Sequence, residues 1–255
     1  MLNNSVVSFP LLEVCCYSVA DIEKAIAGGA HRIEFCAGQS DGGTTPSYGA
    51  LLQVQHYLTQ IPIVVMVRPR GGDFCYQPQE LMQMESDILL IKELGFHGVV
   101  SGALNPDASV DVSACQRLAK AAQGIDFVFH RAFDCVAEPS FSAKCLADIG
   151  VTRILSSGQQ DKIEQGVELV LALQQQFPQL EWLAAGGVRA HNIGELLERG
   201  IQQLHSAAAE DLPSVFATQY AKAMASAKDV SSELTRQTVS QSLVQLMVKQ
   251  MERGR

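Results

Sequence analysis

The chain has no long apolar run. Nothing in its 255 residues approaches the roughly 20 consecutive apolar residues that a membrane helix needs, so no membrane span is expected. The opening Met1-Leu2-Asn3-Asn4-Ser5-Val6-Val7 has neither a charged n-region nor an apolar h-region, and reads as lacking a signal peptide. Basic residues are scarce: 19 Lys and Arg stand against 27 Asp and Glu, giving a net charge of −8 with no basic cluster. That balance argues against nucleic acid as a partner. The 7 cysteines are odd in number and lack framework spacing, which fits free thiols in a reducing cytoplasm. Neither Cys-x-x-Cys nor a Cys/His zinc spacing occurs.

What is present is ample material for a core, with 47% hydrophobic and 18% charged residues. The pattern alternates between strand and helix from end to end. Strand candidates lie at 11–17, 31–37, 61–67, 98–102, 127–133, 153–158, 182–187 and 203–208, eight in all. Helix candidates lie between them, at 19–27, 47–57, 78–94, 111–122, 138–149, 161–176 and 192–199. Strict alternation means parallel strands joined by crossovers. Eight such units in this length predict a single-domain (β/α)₈ barrel over about 11–208. The rival, a doubly wound sheet, needs a Gly-rich phosphate turn after the first strand, and Cys16-Tyr17-Ser18 is not one. The segment 211–255 reads as helical, with an apolar stripe of Leu234, Val239, Leu243, Leu246, Met247 and Met251 that would pack on the barrel wall or in an oligomer contact.

A barrel of this kind carries its chemistry at the carboxyl ends of the strands. The third strand runs into Arg68-Pro69-Arg70-Gly71-Gly72-Asp73-Phe74. Continued as a strand, it would point Arg68 and Arg70 to one side, as a pair of guanidinium forks for a phosphate or carboxylate. A pairing of Arg70 with Asp73 across a tight loop is the plainer reading. Glu13 and Cys15 share a face of the first strand, and Glu34 and Cys36 a face of the second. A buried strand rarely spends two acids on packing, so these residues form one candidate patch, with Arg68 and Arg70 as counter-charges. His130, Arg131 and Asp134 follow the fifth strand, Ser156, Ser157 and Gly158 the sixth, Gly186 and Gly187 the seventh, and His205 and Ser206 end the eighth. The last loops hold the phosphate-binding position of such barrels. Paired thiols favour a soft ion such as Cu(I), whereas the carboxylates favour acid/base work or a harder metal. The residues leave both open.

Leu12-Glu13-Val14-Cys15, Arg32-Ile33-Glu34-Phe35-Cys36, Gly42-Gly43-Thr44-Thr45-Pro46-Ser47, Met66 through Phe74, His130-Arg131-Ala132-Phe133-Asp134 and Ser156-Ser157-Gly158 together resemble the CutC copper homeostasis family, from about Leu11 to Ala208. The resemblance implies a TIM barrel, a cytoplasmic and homo-oligomeric protein, a link to copper handling, and Cu(I) ligation by Cys15 and Cys36. The alternative from the residues is a lyase, isomerase or hydrolase of a phosphorylated or carboxylated small metabolite. Glu13 and Glu34 would then transfer protons, Arg68 and Arg70 would clamp the anion, and His130 would assist.

Overall fold

Short β-branched and apolar runs form the strands, and their alternation with amphipathic helices sets the topology. The computed structural model describes residues 10–213 and 235–253. The strands are β1 (Leu11–Cys16), β2 (Arg32–Phe35), β3 (Ile63–Met66), β4 (Gly98–Ser101), β5 (Asp126–Phe129), β6 (Arg153–Ser156), β7 (Glu181–Ala184) and β8 (Gln203–Ser206). Each pairs in parallel with the next, and β8 pairs back onto β1 to close the barrel. This is a (β/α)₈ TIM barrel.

Between the strands run α1 (Val19–Ala27), α2 (Tyr48–Val54), α3 (Pro78–Glu93), α4 (Val112–Ala121), α5 (Pro139–Ile149), α6 (Ile163–Gln176) and α7 (Ile193–Glu198). Local chemistry starts several of them. Ser18 and Ser47 accept the N–H groups of Asp21 and Ala50, and Gln77 and Glu80 form a capping box on α3. Alternate strand residues face the helices, among them Leu12, Val14, Ile33, Phe35, Ile63 and Val65, in one large core. The other face of each strand fills the barrel lumen, with Cys15, Cys36, Val64, Met66, Val100 and Val128 in one cluster.

Two expectations need correction. The helix expected from residue 211 is instead a strand, β9 (Ala209–Pro213), paired antiparallel with β10 (Thr235–Val239). The tie of this hairpin to α1 explains it. The buried Asp21 carboxylate accepts the Thr238 hydroxyl at 2.5 Å and the Val239 N–H at 2.9 Å, and the latter is a backbone donor that a helix interior would commit to its own i−4 carbonyl. The final helix, α8 (Gln241–Arg253), follows, packed on α7 and α1 through buried Val244, Met247 and Met251. Leu246 faces solvent and Val239 belongs to β10, so the expected stripe is only partly formed; Leu234 lies outside the described residues. The second correction concerns β3. It ends at Met66, before the two arginines, so strand alternation does not govern where they point.

Candidate active site at the barrel mouth

Strand register builds the site. Glu13 of β1 is level with Arg32 on β2 and with His205 on β8, and Cys15 is level with Glu34. Inside the lumen this yields a chain of titratable groups. The Glu13 carboxylate accepts from Arg32 Nε and from His205 Nδ1, the latter at 2.8 Å. His205 Nε2 lies 3.7 Å from Glu34 Oε2. Glu34 Oε2 is 3.5 Å from Cys36 Sγ, which lies 3.8 Å from Cys15 Sγ. Glu13, Glu34, Cys15 and Cys36 are all buried.

The neighbours decide the charges. Burial pushes the Glu13 carboxyl up, but Arg32 and His205 outweigh it and hold the group well below the carboxylate range. Burial raises Glu34 well above that range, and the adjacent Cys15 adds to the effect. Burial opposes a charge on His205, yet Glu34, Cys15 and Glu13 lift it well above its ordinary value. The Cys36 thiol beside it brings Cys15 down strongly against the effect of burial, with help from His205 and Tyr17. Burial and Cys15 push Cys36 up. Glu13 is thus held ionised by Arg32 and His205, while burial works against a charge on Glu34 and the neighbouring acids work for one on His205.

Above this chain lies a cavity of about 300 Å³ whose walls include Cys15, Glu34, Arg68, His130, Arg189 and His205. Arg68 is buried, and its terminal nitrogens donate to three carbonyls: Asp41 at 2.6 Å, Gly43 at 3.1 Å and Gly72 at 2.7 Å. Its Nε is left without a partner among the described residues, as are Glu34 Oε1 and His130 Nε2. His130 Nδ1 accepts the Ala132 N–H and so caps the 3-10 turn Arg131–Cys135. Burial and Arg68 bring the His130 imidazole down to about 3, which keeps it neutral.

Arg70 turns the other way, over Tyr76. It donates to Glu80 at 2.6 Å and to Asp73 at 3.1 Å and stays outside the cavity, as does Asp73. The paired-arginine clamp is thus not formed, and neither arginine is the counter-charge of Glu13; Arg32 is. Asp134 is likewise occupied by its own loop. Its carboxylate accepts from Ser156 Oγ at 2.6 Å, from the Ser157 N–H at 2.9 Å and from Arg131 Nε at 2.7 Å. Ser156, Ser157 and Gly158 therefore wrap an internal carboxylate and do not line the cavity, whereas Arg131, Gly186, Gly187 and Ser206 do.

Sequence reasoning passed over Arg32, Tyr17 and Arg189. Arg32 sits two residues before Glu34, and Tyr17 two after Cys15, so strand alternation offered a signal for both. Nothing local marked Arg189.

Two groups could hold a metal: Cys15, Glu34 and Cys36, or Glu13, Glu34 and His205, with ligand atoms in each set within 4.8 Å of one another. The second would place a cation beside Arg32, which already neutralises Glu13. The first, with two sulfurs, suits a soft ion.

Fold and site together define a TIM barrel with a polar, cation-rimmed pocket at the carboxyl ends of its strands. The CutC family model matches residues 10–210. A CutC family protein of Klebsiella pneumoniae is 47% identical over 204 residues, 80% of this chain and 82% of the relative. A Salmonella typhimurium CutC family protein is 44% identical over 204 residues, again 80% and 82% of the two chains. The solved CutC structure from Streptococcus agalactiae superposes with a TM-score of 0.74 at 34% identity, covering 78% of this chain and 99% of that one. The chain belongs to the CutC family. A thiamine phosphate pyrophosphorylase from Pyrococcus furiosus shares the fold alone, with a TM-score of 0.55 at 13% identity over 97% of each chain. Among the described residues no helix is long and apolar enough to cross a membrane.

Proposed function

We propose that the chain is an enzyme acting on a small anionic metabolite, a lyase, isomerase or hydrolase with its active site at the barrel mouth. One observation carries this reading. Glu34 Oε1, Arg68 Nε and His130 Nε2 are buried, lack partners among the described residues, and belong to residues lining one cavity. An unsatisfied buried polar atom costs about 1–3 kcal/mol, and a bound molecule would satisfy all of them. Arg68 and Arg189 line the cavity without a carboxylate partner among the described residues, and burial opposes a charge on Glu34, the acid in its wall. That balance selects an anion. Glu34 and His205 are the proton donors within reach of a ligand, and Glu13, locked to Arg32, orients His205. The test is a thermal-shift screen of phosphorylated and carboxylated metabolites: a ligand that binds the folded state raises its Tm by mass action. Glu34→Gln should keep the shift and lose turnover. A screen with no stabilising anion would remove the proposal.

A second reading, copper handling, is favoured by the 3.8 Å separation of Cys15 and Cys36 Sγ. It is supported by the Streptococcus relative, provisionally assigned to copper homeostasis, and all seven cysteines are free thiols, as a cytoplasmic Cu(I) protein requires. Two thiols at this spacing, with Glu34 beside them, fit a soft ion. Anaerobic Cu(I) titration of the wild type and of a Cys15→Ser/Cys36→Ser double variant tests it. Equal affinity in the two would dismiss it.

A further inference from the structure

We infer that the ligand of the barrel mouth carries a carboxylate, held between Arg68 Nε and His130 Nε2 beside the ring of Phe74. The inference rests on the reading of the cavity as a metabolite site and names the group that site selects. Both nitrogens are buried and unpartnered among the described residues. Phe74 bridges them, with the Arg68 guanidinium carbon 4.9 Å from its ring centre and the His130 ring centre 4.8 Å away.

The hydrogen-bond inventory fixes what each can offer. Arg68 commits three of its five N–H groups to the carbonyls of Asp41, Gly43 and Gly72; of the two left, the one on Nε sits on a buried nitrogen with no partner among the described residues. His130 accepts a backbone N–H at Nδ1, which places the ring proton of the neutral imidazole on Nε2. The two unpartnered nitrogens therefore present two N–H donors and one positive charge. Two acceptor oxygens and one negative charge complement it, and that is a carboxylate. A phosphate dianion would bring a second negative charge and a third oxygen, and these two nitrogens offer neither the matching charge nor a third N–H. It fits the wider rim instead, where Arg131 and Arg189 line the opening beside Gly186 and Gly187. His130 is in this role a specificity determinant that stays neutral and moves no proton.

The experiment uses the full-length protein with malonate, pyruvate, 3-phosphoglycerate and inorganic phosphate as probes, their affinities measured by calorimetry. His130→Asn retains a side-chain oxygen able to cap Ala132 N–H and removes the Nε2 donor, so the fold is preserved. The three carboxylates should bind the wild type and lose about tenfold to hundredfold in affinity in the variant, the loss expected for one hydrogen bond to a charged group. Phosphate affinity should hardly change. In ¹⁵N-histidine spectra of the wild type, the His130 Nε2–H signal should shift on adding pyruvate. Carboxylate affinities equal in the two proteins, or binding by phosphate alone, would overturn the carboxylate assignment and leave the anionic-metabolite reading standing. No binding by any probe would remove both.

Discussion

His205 Nδ1 lies 2.8 Å from Glu13 Oε1, and the same carboxylate accepts from Arg32 Nε. Three strands, β8, β1 and β2, are thus joined through one buried acid below the cavity. Replacing Glu13 by Gln leaves the buried Arg32 guanidinium without its counter-charge and takes the acid away from His205 Nδ1. The expected loss in urea unfolding free energy is about 3–5 kcal/mol at pH 7, the usual result of removing one partner of a buried pair. A loss below about 1 kcal/mol would mean that the pair is not formed.

His130 is buried and neutral, with its value brought down to about 3 from the ordinary 6.5. A depressed histidine favours the fold above pH 6.5 and loses that contribution as pH falls toward the folded value. The stability advantage of wild type over His130→Asn should therefore narrow by about 2 kcal/mol between pH 8 and pH 5. Urea denaturation of both proteins at the two pH values measures it. A pH-independent difference would show that the imidazole is charged or exposed.

Arg68 and Arg70 share a motif but not a role. Arg68→Lys removes the planar fork that holds the carbonyls of Asp41, Gly43 and Gly72. It should cost about 3 kcal/mol and speed hydrogen exchange in residues 38–46. Arg70→Ala removes a half-exposed pair with Asp73 and Glu80 and should leave the unfolding midpoint nearly unchanged.

Gly166 lies within α6, where alanine would ordinarily be preferred by about 1 kcal/mol. A Cβ there would meet the Ser157 carbonyl oxygen at 2.0 Å and the Gly158 Cα at 2.8 Å. Gly166→Ala should thus lower Tm and displace the loop after β6, which Asp134 holds in place. An unchanged or raised Tm would show that α6 can move away.

The barrel was legible because alternation is a global signal: each β-branched run predicts a strand, and seven helices between eight strands leave few topologies. The grouping of Glu13, Glu34, Cys15 and Cys36 followed from the period of two along neighbouring strands. What sequence could not show depends on where a strand stops. Because β3 ends at Met66, Arg68 and Arg70 leave the ladder and diverge, and the counter-charge came from Arg32 within β2 instead. The β9–β10 hairpin was illegible for a related reason. It stands outside the strand–helix alternation, and Ala209-Glu210-Asp211-Leu212-Pro213 has no strand pattern of its own.

Asp21 gives the hairpin a kinetic meaning. Its carboxylate, 3% exposed, is satisfied by Tyr17 N–H nearby and by Thr238 and Val239, more than 200 residues downstream. During synthesis the first helix must wait with this acid facing water until nearly the whole chain has emerged. The barrel's first turn is therefore sealed last, and a ribosome-stalled chain ending before β10 should remain open to protease at α1.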